Sequence, residues 1–223
     1  MPDQSIAIVD ERQARLEGIA LRVGSCQLCA LHLTRTQGVP GTGPASARLM
    51  AVGEAPGDRE DKEGRPFVGA AGQLLTELLE GIRLSRDDIF ITNVLKSRPP
   101  GNRDPLPEEV AACAGYLDAQ IEVIQPRVIL LLGRHALQRL VPGAPGISSC
   151  HGQLVKADGR TYMPCYHPAA ALYNGSLKSV LQEDFRRLRQ HLDQMEADAE
   201  PKAAAPSSQG AEPSVGAEQL DLF

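Results

Sequence analysis

Apolar residues along this chain follow two rhythms. Leu16, Ile19, Ala20 and Val23 recur at helical spacing, so residues 10–24 are expected to form an amphipathic helix. The same spacing returns at Leu74, Leu75, Leu78, Leu79 and Ile82, then at Val110, Cys113, Leu117, Ile121 and Ile124, and finally at Val180, Leu181, Phe185, Leu188 and Leu192. Between these helices lie short continuous apolar runs. Residues 48–52 predict a first strand, 88–95 a second that ends near Asn93, and 127–133 a third. The third, Arg127-Val-Ile-Leu-Leu-Leu-Gly133, has the unbroken apolar character of a central parallel strand covered on both faces. Gln153 to Lys156 and Arg160 to Cys165 read as a strand pair turning at Asp158-Gly159.

The polar interruptions after the strands carry the chemistry. Gly53-Glu54-Ala55-Pro56-Gly57, Glu60-Asp61 and Gly64-Arg65-Pro66-Phe67-Val68-Gly69 follow the first strand and precede a helix. In open α/β sheets this edge is where ligands bind, because backbone N–H groups and helix N-termini point there. Pro56 stiffens the turn, Gly57 and Gly69 allow close approach, and Glu54 and Glu60 supply carboxylates. Taken alone, this loop reads equally well as a structural turn. After the second strand, residues 96–107 contain four prolines, which exclude helix or sheet interior. Lys96, Arg98 and Arg103 make this loop basic, and it reads as a Pro-rich connector or, at least equally well, as a loop that faces phosphates. The last strand runs into a third loop, 167–172, beginning His167-Pro168-Ala169-Ala170. His135, which opens a short helix, reads as structural. Glu54, Glu60, Phe67, Asn93, Asn102 and His167 thus gather at strand ends. A stacking face, an amide and an imidazole suit a planar heterocycle lifted out of a nucleic-acid stack.

Composition changes this picture in three places. The chain has 223 residues and five cysteines, an odd number that argues against a disulfide framework. Cys26 and Cys29 form a C-x2-C pair, which reads as a metal or iron–sulfur site or as a buried structural pair. No run approaches a membrane span and no signal segment opens the chain, so a soluble intracellular protein is expected. The formal net charge is −5, yet residues 193–223 hold seven acids and one base, and the rest is about +1. Overall acidity is therefore no argument against nucleic-acid binding. From about residue 196 the composition turns to Ala, Pro, Ser, Glu and Gly, so domain boundaries are expected at 1–195 and 196–223, the second part a disordered tail. Its tip, Gln219-Leu220-Asp221-Leu222-Phe223, is apolar again and reads as a short docking motif.

Four ordered motifs, GEAPG with ED and GRPFVG, then TNVLK-x-RPPGNR, then HPAA, behind C-x2-C, resemble the family 4 uracil-DNA glycosylases, the iron–sulfur members of their superfamily. The resemblance covers roughly residues 12–192. It implies a three-layer α/β/α sandwich with a central four-stranded parallel sheet, and hydrolysis of the bond between uracil and deoxyribose in DNA, without a lyase step. It further implies that Asn93 reads the base, Phe67 stacks on it, and His167 donates to uracil O2 as the base leaves. Gly53, Ala55 and Gly57 would border the base. Family 1 relatives carry Asp where Ala55 stands, so the attacking water falls to Asn102, favoured here, or to Glu54 or Glu60. Glu60 alternatively fills the space that excludes thymine.

One departure concerns the cofactor. The resemblance implies a 4Fe-4S cluster on Cys26, Cys29, Cys113 and the residue before RPPGNR, which here is Ser97. A serine oxygen is a harder and rarer iron ligand than thiolate, so the cluster is expected to be Ser-ligated, incompletely held or lost. Gln219 to Phe223 resembles the pentapeptide that docks bacterial proteins on the replicative sliding clamp, implying a bacterial source and work in the cytoplasm near the nucleoid; a monomer is expected. The competing readings are a non-enzymatic iron–sulfur or nucleotide-binding α/β protein and a superfamily member acting on other deaminated bases.

Overall fold

Successive residues of a strand face opposite ways, and here both faces are apolar. In β1 (Leu49–Gly53), Met50 and Val52 enter one core while Leu49 and Ala51 enter another. β2 (Ile89–Asn93), β3 (Val128–Leu132) and β5 (Arg160–Cys165) divide in the same way. The first core takes Leu16, Ile19 and Val23 of α1 (Gln4–Gly24) and Leu117 and Ile121 of α4 (Pro107–Ile124). The second takes Leu75 and Leu79 of α3 (Ala70–Glu80) and Leu181, Phe185 and Leu188 of α8 (Ser176–Ala199). The result is helices on both sides of one sheet. This computed structural model describes residues 4–199.

The strand order is β2-β1-β3-β5-β4. The first four strands are parallel, as the resemblance implied, and a fifth, β4 (Val155–Ala157), is added antiparallel at the edge of β5. It closes the hairpin expected at Asp158-Gly159, where both residues take positive φ. The chain runs from β1 to β2 on one side and returns to β3 on the other. That reversal puts a crevice at the carboxyl end of β1.

Several expected loops contain short helices. α2 (Asp58–Glu63) lies inside 53–69 and ends at the left-handed Gly64. α5 (Arg134–Leu140) is the short helix expected after β3, and α6 (Ile147–Cys150) lies among the glycines and prolines that follow it. Residues 167–172 are not a loop: α7 (Pro168–Tyr173) starts there with Pro168 at its first position and His167 as its cap. At the other end, α8 runs to Ala199, beyond the expected boundary at 195. Arg48 pairs with Glu196 at 3.0 Å and Arg127 donates to the Met195 carbonyl at 3.3 Å, which holds the extra turn on the domain. The docking segment 219–223 lies outside the described residues. No described helix is long and apolar enough to cross a membrane.

Candidate active site

Parallel pairing fixes the first piece of the site. Gly53 and Asn93, the last residues of β1 and β2, are register partners, so the Asn93 amide lies against Gly53. A Cβ on Gly53 would stand 2.4 Å from Asn93 Oδ1 and 2.6 Å from the Phe67 ring, so only glycine fits between the amide and the ring. Asn93 is 2% exposed, and its Oδ1 is the only buried side-chain N or O atom among the described residues without a hydrogen-bond partner. Leaving such an acceptor unmet costs about 1–3 kcal/mol. The pocket therefore calls for a donor from outside the protein.

His167 stands across from it. Ala169 N–H donates to His167 Nδ1 at 3.1 Å, which leaves the ring proton on Nε2. Loss of hydration, opposed by Glu60 and reinforced by His135, pushes the His167 pKa down to about 4. The imidazole is thus a neutral donor near pH 7 and not a cation. Its ring stacks on Phe67 with centroids 5.6 Å apart and planes 25° from parallel. Both rings line one pocket with Asn93.

Glu54, Ala55, Gly57, Glu60, Asn102 and Arg103 line the same pocket as Asn93, Phe67 and His167. Glu60 Oε1 accepts from Val68 N–H and Gly69 N–H, both at 2.8 Å, so this carboxylate tethers the 64–69 loop. It also crowds Gly57, where a Cβ would meet Glu60 Oε2 at 2.8 Å. Asn102, on a short turn (Pro100–Asn102), has φ 56° and its Oδ1 accepts from Arg98 Nε at 2.8 Å, leaving its NH2 as the open group. Burial raises the Glu54 pKa, against the pull of His135 and Arg134. The nearest basic group, His135 Nε2, is 3.6 Å from Glu54 Oε2 and equally far from Asp104 Oδ1, too long for hydrogen bonds.

One cation of the basic loop turns inward, against the expectation that it faces phosphates. Lys96 is 1% exposed, and its Nζ donates to Thr92 Oγ1 at 2.5 Å, Gln120 Oε1 at 2.7 Å and Asn93 O at 2.8 Å. Burial lowers its pKa to about 7. It braces the end of β2 from below and faces no phosphate. Arg98 pairs with Asp58 at 2.7 Å, and Arg103 pairs with the buried Glu109 at 2.6 Å, so much of the loop's charge is answered within the protein. The sequence also passed over Tyr173, 93% exposed at the pocket mouth, and took His135 as structural although it faces Glu54. Neither residue belongs to a recognisable motif, and only the tertiary fold brings them to the pocket.

A second cavity collects Cys26, Cys29, Ser97 and Cys113. Lys96 N–H donates to Cys113 Sγ at 3.2 Å, and burial raises the Cys113 pKa, with Lys96 opposing. Arg35 donates to Ser97 Oγ at 2.8 Å, Gly24 O at 2.9 Å and Cys26 O at 3.0 Å. Cys150 and Cys165 are buried elsewhere, in α6 and β5.

Comparison with known proteins agrees with this geometry. Residues 40–193 match the model of the "Uracil DNA glycosylase superfamily". The chain belongs to that superfamily. It is similar to a Type-4 uracil-DNA glycosylase of Sulfurisphaera tokodaii, 48% identical over 78% of this chain and 84% of the relative. Similar too are the Type-4 enzymes of Archaeoglobus fulgidus, 46% identical over 78% of this chain and 91% of the relative, and Thermotoga maritima, 45% identical over 80% and 95%.

Proposed function

We propose that this superfamily member is a monofunctional Type-4 uracil-DNA glycosylase, a DNA repair hydrolase that releases uracil and leaves an abasic site. The observation that carries this reading is the unpaired, buried Oδ1 of Asn93 at the base of a pocket walled by Phe67 and His167. Uracil N3–H satisfies that acceptor while Asn93 NH2 donates to O4. Cytosine has the reverse pattern and leaves both groups unmet, a mismatch that a buried site rejects strongly.

The extruded base stacks on the Phe67 ring. Because the imidazole leans on the same phenyl nearly parallel to it, a base stacked there lies roughly in the imidazole plane. In-plane donation from His167 Nε2–H then reaches O2. As the bond from C1′ to N1 breaks, its electron pair leaves with the base, and the neutral donor stabilises the anion that forms. Asn102 NH2 holds the attacking water, while Glu54 accepts its proton as the water oxygen bonds to C1′. Glu60 against Gly57 narrows the side on which thymine would place its methyl. Leu172 and Tyr173, exposed by 51% and 93%, fill the gap that the extruded nucleotide leaves in the duplex.

Cys26, Cys29, Cys113 and Ser97 line one cavity, with a backbone N–H on the buried thiol, and are the residues that would hold a 4Fe-4S cluster. When bound there it would supply a structural tie between the 25–29 loop, the Asn102 loop and α4. The tip Gln219 to Phe223 docks the enzyme on a bacterial sliding clamp, which puts its work in the cytoplasm near the nucleoid. We take the enzyme to act as a monomer.

The test is incubation of the purified protein with uracil-containing and thymine-containing oligonucleotides, followed by alkaline cleavage of abasic sites. Breakage at uracil only is expected. Intact uracil strands rule out the reading, and protein trapped on DNA by borohydride rules out the monofunctional part.

A further inference from the structure

Phe67 presents its ring from an unfavourable backbone. Its φ is 53°, the left-handed region that an aromatic residue seldom adopts. Something must hold it there. Glu60 ties down the N–H groups of Val68 and Gly69 on one side of the turn. On the other, Arg86 Nη2 donates to Pro66 O at 2.8 Å and Arg86 Nη1 to Phe67 O at 3.0 Å. A planar guanidinium whose two arms grip successive carbonyls fixes the orientation of the peptide between them. Arg86 makes no ion pair among the described residues, although Asp87 is its neighbour in sequence. The Phe67 carbonyl is also seated on α3, where a Cβ on Gly72 would meet it at 1.8 Å.

Arg86 occupies a short turn (Arg86–Asp88) that leads straight into β2. The same strand carries Asn93 at its far end. One strand therefore anchors the stacking ring at its start and the base-reading amide at its finish. We propose that Arg86 is a positioning residue for uracil excision: its fork on the Pro66 and Phe67 carbonyls holds the left-handed turn that sets the ring against Asn93 and His167. The inference rests on the glycosylase reading of the pocket.

The experiment is a double-mutant cycle with Arg86→Ala and Phe67→Ala, read by single-turnover excision from a short duplex. Misplacing a contact group by about an ångström costs up to roughly 100-fold, so Arg86→Ala should slow excision by about 10- to 100-fold. In the Phe67→Ala background the same change should cost no more than about twofold, because the group it positions is gone. Inhibition by free uracil should weaken in Arg86→Ala, while affinity for duplex DNA stays unchanged. Arg86→Lys keeps the charge but cannot fork two carbonyls, so it should behave like Arg86→Ala, and it decides the matter if the alanine variant does not fold. Losses that multiply fully in the double variant overturn the proposal, as does full activity in Arg86→Lys. A salt-dependent loss of DNA affinity in Arg86→Ala would instead make Arg86 a phosphate contact, and unimpaired excision by Phe67→Ala would remove the group it acts through. Absence of excision by the unmutated protein would fail the glycosylase reading itself, which distinguishes the two failures.

Discussion

The base pocket and the cysteine cavity are both lined by residues from distant parts of the chain, but they are held in different ways. In the pocket, strand register places Gly53 against Asn93, backbone N–H groups are gripped by Glu60, and the His167 tautomer is fixed by the first turn of α7. Protein contacts alone complete it, and what remains unpaired is what a ligand would meet. In the cysteine cavity, Cys26 and Cys29 stand on a loop between α1 and a short turn (Ala30–Leu33), tied chiefly by the three hydrogen bonds of Arg35. Leu28 and Leu33 beside it are 68% and 76% exposed. Sheet register makes a pocket rigid before its ligand arrives, whereas a loop cavity gains order from the group it binds. Changes in the pocket should thus cost rate, and changes in the cavity should cost stability.

The largest expected effect tests the first half of that contrast. In the proposed mechanism His167→Ala removes a donor whose worth is greatest in the transition state, so single-turnover excision should fall by about 10²–10³-fold, or roughly 3–4 kcal/mol. Binding to the same duplex should change little. Equal losses in rate and affinity would mean that His167 supports DNA binding instead. Asn93→Asp should erode preference for uracil, since an ionised carboxylate cannot donate to O4.

A smaller effect comes from pH. Burial holds the Glu54 pKa above its ordinary 4.5, and proton acceptance needs the carboxylate. Excision should therefore decline as pH falls through that raised value, approaching about tenfold per pH unit below it. His167, held at about 4 by lost hydration, is neutral near pH 7 and adds no limb there. Glu54→Gln should be slow and should lose the acid limb. An unchanged limb in that variant would move the proton acceptor elsewhere.

The cavity responds to Ser97. If the hydroxyl is the weak point in a cluster shell, Ser97→Cys should raise iron content and the absorbance of the thiolate-to-iron band, and should increase resistance to oxygen and heat. Excision per folded molecule should stay the same. Iron content and unfolding midpoint equal to those of the unmutated protein would put Ser97 outside the shell.

What could be read from the sequence follows the same division. Strands covered on both faces are written as continuous apolar runs, and their carboxyl ends are marked by Gly, Pro and Asn, so β1, β2 and β3 and the residues at their tips are legible in the chain itself. Charge is harder to read, because its meaning depends on what stands opposite in space. Lys96 looked like a phosphate contact from its neighbours in sequence, yet Thr92, Gln120 and Asn93 take its three protons inside the molecule. Arg86 lies 19 residues from Phe67 in a plain acidic turn, and only the fold shows its guanidinium on two carbonyls. His167 was marked by its motif, while its neutral state depends on a cap and on lost hydration that no motif encodes.

The smallest effect on chemistry is expected from the tail. Residues 196–223 begin on the last turn of α8, and those beyond Ala199 are rich in Ala, Pro, Ser and Gly, a composition that suits the proposed tether role of setting reach and local concentration. In a docking role, Leu220, Leu222 and Phe223 bury apolar side chains in a groove of the clamp, with Gln219 and Asp221 adding polar contacts. Deleting residues 219–223 should leave excision from short oligonucleotides unchanged, because every pocket residue lies between Gly53 and Tyr173. Association with the clamp should disappear, and with it any advantage on clamp-loaded DNA. Calorimetry of a peptide spanning the last ten residues against purified clamp measures the affinity directly: undetectable binding removes the docking role, and slower excision of short DNA after the deletion would show that the tail reaches the pocket.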